Sequence, residues 1–245
     1  MKNKCPVLGV NYTVSNLDEA IHYVRTNRDE LSGKYICFSN VHTAVTAYDS
    51  PDYMKVQNGA AVIYPDGYPI ANEQNRKGFI DAKRVAGPDF MANMFLSTMD
   101  GKYSHYFYGG SQETLDALKK RLKQDYPGIK IAGMYSPPFR ELTPEEDAAD
   151  IKKINDSKAD FIWVALGAPK QEKWMAAHEG KVNGVMFGIG AAIDFHAGTI
   201  SRAPKWVQTI GFEWFYRLLQ DPKRLIKRYM ETNFKFIWLT RILRK

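Results

Sequence analysis

Two cysteines in 245 residues, Cys5 and Cys37, are too few for a disulfide framework or a thiolate metal site. Both stand in apolar, strand-like stretches, which fits reduced core thiols of a cytoplasmic protein. No His/Cys cluster has zinc-ligand spacing. No Gly-x-x-x-x-Gly-Lys-Ser/Thr loop occurs, which excludes a P-loop nucleotidase. No Asp-x-Asp occurs either, so the usual paired carboxylates that hold the divalent metal of a sugar nucleotide are missing. Any phosphate handled here falls to arginine, lysine and helix N-termini. There is no uncharged apolar run of the ~18 residues that would span a bilayer. The opening "MKNKCPVLGVNYT" lacks the apolar core of a signal peptide. Repeats and low-complexity linkers are absent as well.

Acid is almost missing from one place. Between residues 222 and 245 there are eight basic side chains (Lys223, Arg224, Lys227, Arg228, Lys235, Arg241, Arg244, Lys245) and one acid, Glu231. The whole chain carries a net charge of +7, so residues 1–221 sum to about zero. The basic character therefore belongs to the tail alone. Leu225, Ile226, Tyr229, Met230, Phe234, Ile237 and Trp238 recur there at roughly helical spacing, with basic residues between them. That pattern predicts an amphipathic helix lying on an anionic membrane. A helix packed on the protein's own core with a solvated basic face remains open, as does a nucleic-acid surface. The Phe, Ile, Leu and Trp content favours lipid.

What precedes the tail alternates. Strands are predicted at 7–14, 35–40, 60–67, 104–110, 129–135, 160–167 and 184–190. Helices are predicted at 16–31, 42–57, 88–99, 111–125, 143–156 and from about 169. Asn16 is a predicted N-cap, and Thr143 with Glu146 a capping box with Pro144 at the first helical position. Alternation of this kind predicts an α/β fold with a Rossmann-like, mostly parallel sheet flanked by helices. We place the α/β domain at 1–198 and a basic helical appendage at 199–245.

In an open parallel sheet the ligand lies beyond the carboxyl ends of the strands. Standing there are Asn40 and His42, Asp66 with Gly67, Gly109 with Gly110, Gly167 through Gln171, and Gly188 through Asp194. Asp66 would suit a general base, or simply form an Asp-Gly turn. Arg84 would suit a phosphate clamp or a surface cap. Gly188-x-Gly190 lacks the third glycine of a dinucleotide fingerprint, so a nicotinamide enzyme is disfavoured.

The stretches "LGAPKQEKW", "FGIGAAIDFHAGTISRAPKW" and "GFEWFYRLLQDPKRLIKRY", with "YPDG" and "RVAGPDF" upstream, closely resemble the WecG/TagA/CpsF family of bacterial glycosyltransferases. The resemblance runs from about Val7 to Trp238. It implies a metal-independent, inverting transferase that needs no cofactor and no nucleic acid. Such an enzyme moves a sugar, most often N-acetylmannosamine, from a UDP-sugar to a polyprenyl-diphosphate-linked sugar. It works peripherally at the inner face of the bacterial plasma membrane, in teichoic acid, capsule or exopolysaccharide synthesis. Homo-oligomers are compatible with it. The resemblance assigns the base to Asp66 and substrate contacts to Asn40, Arg84 and Gln171. Thr43, Gly109, Gly167, Gly190 and Asp194 complete the expected pocket. Arg202, Arg217, Arg224 and Arg228 match appendage positions, and some of them are expected to hold a diphosphate. One position departs from the pattern. Many members carry Thr two residues before the strand-end Asn, where this chain has Phe38. Ser39 and Thr43 are the nearby hydroxyls. The donor sugar is left open between N-acetylmannosamine, another hexosamine and a glucose-type sugar.

Overall fold

The first predicted strand, 7–14, holds a turn and the second strand of a hairpin whose first strand begins before it. In the computed structural model, which describes residues 3–243, Lys4–Val7 (β1) and Val10–Thr13 (β2) pair antiparallel. Leu8 and Gly9 turn between them at φ 49° and 85°. Apolar residues continue through this turn, so the sequence pattern hides the break. The other strands match expectation: Tyr35–Ser39 (β3), Val62–Pro65 (β4), Ser104–Gly109 (β5), Lys130–Tyr135 (β6), Phe161–Ala165 (β7) and Val185–Gly188 (β8). They form one six-stranded sheet in the order β4-β3-β8-β7-β5-β6, and each pairing is parallel. This is the predicted Rossmann-like α/β sheet flanked by helices.

Local chemistry sets the helix boundaries. Asn16 caps Leu17–Thr26 by accepting from the Glu19 N–H, as predicted. That helix ends at Asn27, and a separate turn, Arg28–Leu31, follows. The predicted helix 42–57 is two helices, Val41–Asp49 and Pro51–Gly59. Pro51 has no N–H to continue the first helix, and the Ser50 side chain caps the second. Thr143 and Glu146 form the expected capping box before Pro144–Asp156. The helix Tyr68–Arg76 escapes the periodicity argument, because Asn and Gln fill much of it.

The strands are buried on both faces, and successive residues feed two different cores. Tyr35 and Cys37 of β3 join Ala44, Val45, Tyr53, Val164 and Met175 on one side. Ile36 and Phe38 join Phe90, Phe95, Trp163, Phe187 and Ile193 on the other. The helix after β3 therefore lies on one face, while the helix after its neighbour β8, Ala192–Ala197, lies on the opposite face. Connections that leave adjacent parallel strands toward opposite faces open a crevice at the strand ends. The fold thus puts its crevice between β3 and β8.

The appendage consists of Lys205–Thr209, Glu213–Gln220, Pro222–Ile237 and a π-helical turn, Trp238–Ile242. The long helix is amphipathic, as expected, but its apolar residues do not all face one way. Leu225, Phe236 and Leu239 are buried, and the last two join the core under Val41–Asp49. Burial on this scale contributes ~1.5–3 kcal/mol per large side chain. Ion pairs fasten the same end: Lys235 to Asp49, and Arg241 to Glu73 at 3.3 Å. Leu225 therefore leaves the predicted lipid-facing stripe, and two tail cations pair with carboxylates of the main domain. Ile226, Met230, Phe234, Ile237 and Trp238 of that stripe remain exposed. Among the described residues no helix is long and apolar enough to cross a membrane.

Candidate active site

The crevice is a cavity of ≈ 940 Å³ bounded by four strand ends and the appendage. Its inner end is polar. Asn40, His42 and Thr43 follow β3, Asp66 and Gly67 follow β4, Gly167, Ala168, Gln171 and Glu172 follow β7, and Gly188 through Ala192 end β8 and follow it. Its outer end is formed by Trp214, Phe215, Leu218, Ile226, Met230 and Phe234 of the appendage. A ligand with a polar head and an apolar tail fits such a gradient.

Asp66 sits just past β4, where its N–H donates to the Ser39 carbonyl at 3.0 Å. The N–H of Gly87, at the start of the helix Gly87–Ser97, donates to Asp66 Oδ1 at 3.2 Å. Burial pushes the Asp66 carboxyl up to about 7, against the opposing pull of Arg84; Glu213 pushes it further up. A carboxyl poised there changes charge near neutral pH, which suits proton transfer and is costly for a mere turn former. The Asp-Gly turn reading accounts for none of this.

Arg84 and Arg202 are not free clamps. Arg84 donates to Asp89 at 3.1 Å and to Glu213 at 3.0 Å. Arg202 grips Asp89 through both terminal nitrogens, at 2.6 and 2.9 Å, and donates from Nε to Glu213 at 2.8 Å. Burial opposes its charge, yet these two carboxylates hold the Arg202 guanidinium above its ordinary value. Asp89 and Arg84 belong to the α/β domain, whereas Arg202 and Glu213 belong to the appendage. The four side chains make a neutral, interlocked cluster across that junction. Arg202 lies behind the cavity wall and does not line it.

Arg217 differs. It lines the cavity with its guanidinium carbon 5.3 Å from the Phe195 ring centroid. Among the described arginines of the cavity, it alone has no carboxylate partner. Arg241 also lines the cavity, but its charge is turned to Glu73. The side chains of Arg224 and Arg228 lie outside the described residues.

Gln171 serves the cavity wall itself. Its Oε1 accepts from the Gly190 N–H at 3.0 Å, and its Nε2 donates to Glu172 at 2.8 Å. Tyr53 donates its hydroxyl to Glu172 at 3.1 Å, and Gln57 donates to that hydroxyl at 2.8 Å. Burial holds the Glu172 carboxyl above the usual range. The Gln-Glu pair past β7 thus ties two strand-end loops together from below. Gly167 takes φ +77° with open space where a Cβ would stand, so its backbone borders the cavity unshielded.

Asn40 and Thr43 both line the cavity, but they chiefly build the helix start. Asn40 Oδ1 accepts from the His42 and Thr43 N–H groups, and the Thr43 hydroxyl accepts from the Asn40 N–H at 2.8 Å. The Ser39 hydroxyl is buried against Tyr12 and Thr43, at 2.9 and 2.8 Å, and does not reach the cavity. It cannot stand in for a hydroxyl at position 38. Phe38 packs its ring against Tyr64 and Phe90 and gives the cavity an apolar wall.

Two expected pocket residues lie elsewhere. Gly109 does not line the cavity; an added Cβ would meet the Ala165 carbonyl oxygen at 2.6 Å, so glycine there serves the close approach of β5 and β7. Asp194 fastens its helix to the helix Gln112–Asp125 and to its own following turn, accepting from Thr114 at 3.2 Å and Thr199 at 3.4 Å. Both follow strands, but neither stands where the helices diverge. Sequence reasoning missed Asp89 and Glu213, whose arginine partners include residues 113 and 129 positions away. It also missed Tyr68, whose ring lies 5.2 Å from the Arg84 guanidinium carbon. Among the described residues no three His, Cys, Asp or Glu side chains converge as metal ligands.

This geometry has counterparts among known proteins. The sequence profile of the glycosyl transferase WecG/TagA/CpsF family matches residues 5–245. The chain is 30% identical over 221 residues to the N-acetylglucosaminyldiphosphoundecaprenol N-acetyl-beta-D-mannosaminyltransferase of Bacillus spizizenii, covering 89% of this chain and 84% of the relative. Identity to the enzyme of the same name from Bacillus subtilis is 29% over 217 residues, covering 88% and 83%. Identity to that from Staphylococcus aureus strain MW2 is 28% over 225 residues, covering 91% and 87%. The match takes in the strand-end carboxylate, the Gln-Glu loop and the arginine-bearing appendage alike, and the chain belongs to the WecG/TagA/CpsF family of glycosyl transferases.

Proposed function

We propose that this enzyme transfers a sugar, N-acetylmannosamine or a related hexose, from a UDP-sugar to a polyprenyl-diphosphate-linked sugar, with inversion and without a metal. The observation that carries the reading is the cavity's gradient. A carboxyl that titrates near neutrality lies at its inner end, an arginine without a carboxylate partner lines it, and an apolar rim forms its mouth. The named relatives act on N-acetylglucosaminyldiphosphoundecaprenol, a substrate with a polar sugar head and an apolar tail.

In this reading Asp66 takes the proton from the acceptor hydroxyl. The oxygen attacks the anomeric carbon, the bond to the UDP oxygen breaks, and the pair goes to the diphosphate. Arg217 and nearby backbone N–H groups stabilise the charge that grows there. Phe38 replaces a hydroxyl with a ring at the donor's end of the cavity, which favours a donor with less polar demand at that point. A panel of UDP-sugars with a short-chain polyprenyl-diphosphate-GlcNAc acceptor tests this directly. UDP release with one donor, unchanged by EDTA, is expected. Release that requires a divalent cation, or silence with every donor, would refute the reading as stated.

The exposed apolar residues of the rim, with the basic tail, are proposed to rest on anionic lipid at the inner face of the plasma membrane. Because Phe236 and Leu239 are core residues, deleting 222–245 would damage the fold and test nothing. The sharper variant is Ile226→Ser/Met230→Ser/Phe234→Ser, which keeps every charge. It is expected to lower partitioning onto phosphatidylglycerol vesicles at least tenfold in a flotation assay, with melting unchanged. Undiminished partitioning would show that this face does not meet lipid.

A further inference from the structure

Glu213 stands 129 positions from Arg84 in the chain, yet its carboxylate bridges Arg84 and Arg202 at 3.0 and 2.8 Å. Arg84 opens the segment that pairs with the end of β4: the Val85 N–H donates to the Pro65 carbonyl at 2.9 Å, and the Gly87 N–H to Asp66 itself. The Arg84 side chain also lies over Tyr68, two residues after Asp66. The arginine nearest the strand-end carboxyl is therefore held by two carboxylates, Asp89 from its own domain and Glu213 from the appendage. Both Arg84 and Glu213 line the cavity.

From this arrangement we infer that Glu213 is a positioning residue through which the docked appendage sets the base strength of Asp66. The inference rests on the reading of Asp66 as the base. Its physics is simple. An arginine beside a carboxylate favours the ionised form and weakens the base, and a second carboxylate facing both has the opposite effect. With the appendage docked, Glu213 offsets Arg84 at the wall of the cavity that Asp66 lines, and the appendage covers that side of the site. With the appendage lifted, Glu213 and Arg202 leave together and water enters. Glu213 acts on Asp66 more strongly than Arg202, so the net change lowers the affinity of Asp66 for a proton and the base is stronger with the appendage docked. Deprotonation of the acceptor is thereby tied to closure, which holds back the open enzyme.

The charged and titratable groups facing Asp66 are few. Arg84 comes from the segment before Gly87–Ser97, Arg202 and Glu213 come from the appendage, and Tyr12 comes from β2. Burial keeps the Tyr12 phenol neutral well above the working range. His42 and Glu172 line the same cavity from the ends of β3 and β7. Of these, Glu213 and Arg84 act on Asp66 with opposite sign, and that opposition separates an electrostatic role from a merely structural one.

The test needs no substrate. The full-length protein is labelled with 13Cγ-aspartate, and the Asp66 carboxyl is titrated by NMR, its resonance assigned by its loss in Asp66→Asn. The wild-type midpoint is expected near 7. In Glu213→Gln it falls by roughly half a pH unit, and in Arg84→Gln it rises by a similar amount. If cutting the cluster only loosens the site, water entry lowers the midpoint in both variants, and the inference fails. An unmoved midpoint in Glu213→Gln also overturns it. Should Arg84→Gln not fold, Arg202→Gln takes its place, because Arg202 also favours the ionised Asp66 and its loss is likewise expected to raise the midpoint, which loosening would lower. A wild-type activity in Asp66→Asn would instead sink the base assignment, an outcome this titration does not touch.

Discussion

Replacing Asp66 by asparagine is expected to cut turnover by about 10²–10⁴-fold, the contribution of a positioned general base. The amide oxygen can still accept from the Gly87 N–H, so the loop is kept. The wild-type kcat/KM should rise tenfold per pH unit up to about 7 and then level, because only the ionised Asp66 accepts a proton. The residual activity of the variant should lack that limb. Stability moves the other way. A carboxyl whose folded value lies above its unfolded one binds more protons in the native state between those two values, so the fold loses stability as pH rises through that window. At pH 8 the ionised, half-buried Asp66 is a burden that asparagine removes, and Asp66→Asn is expected to melt at or above the wild-type temperature. Lost turnover with a kept or raised Tm assigns Asp66 to chemistry. Near-wild-type turnover would remove it from that role.

The strand-end rule brought the reading to the right end of the sheet but could not choose among strands. Asn40, Asp66, Gly167, Gln171 and Gly190 all border the cavity, while Gly109 and Asp194 obey the same rule and do not. The choice depends on which neighbouring helices leave toward opposite faces. That follows from sheet order, which one sequence does not contain. Capping was legible wherever it is local, as at Asn16 and Thr143. Asn40 with Thr43 was legible too, but as pocket residues, and their backbone bonds show a capping box. Arg84 and Arg202 look like phosphate ligands until Asp89 and Glu213 are seen to neutralise them. Asp89, read locally, is an ordinary acid in the first turn of a helix, and its second partner is visible only after folding. The tail was read correctly as amphipathic, but periodicity does not say that Leu225 and Phe236 face protein while Ile226 and Phe234 do not.

Among the described arginines of the cavity, that neutralisation singles out Arg217 for the proposed leaving diphosphate. A leaving diphosphate gains charge in the transition state, and stabilising it requires a donor that is not already satisfied. Arg84 and Arg202 would first have to give up Asp89 or Glu213, and Arg241 would have to give up Glu73. Arg217 gives up only its place near the Phe195 ring, where the aromatic face leaves its outer N–H groups available. Arg217→Gln is expected to lower kcat/KM for the donor by about 10²–10³-fold, the usual cost of losing one preorganised donor to developing charge. Arg217→Lys should recover part of that loss but not all, since an ammonium supplies charge without the planar fork that meets two phosphate oxygens. The acid limb near pH 7 should stay in both variants, because Arg217 is not among the groups that set the Asp66 carboxyl. A change within about twofold in Arg217→Gln would pass the diphosphate to Arg224 or Arg228, the other appendage positions the resemblance marks, or return it to Arg84, in which case the four-residue cluster would have to open during every turnover.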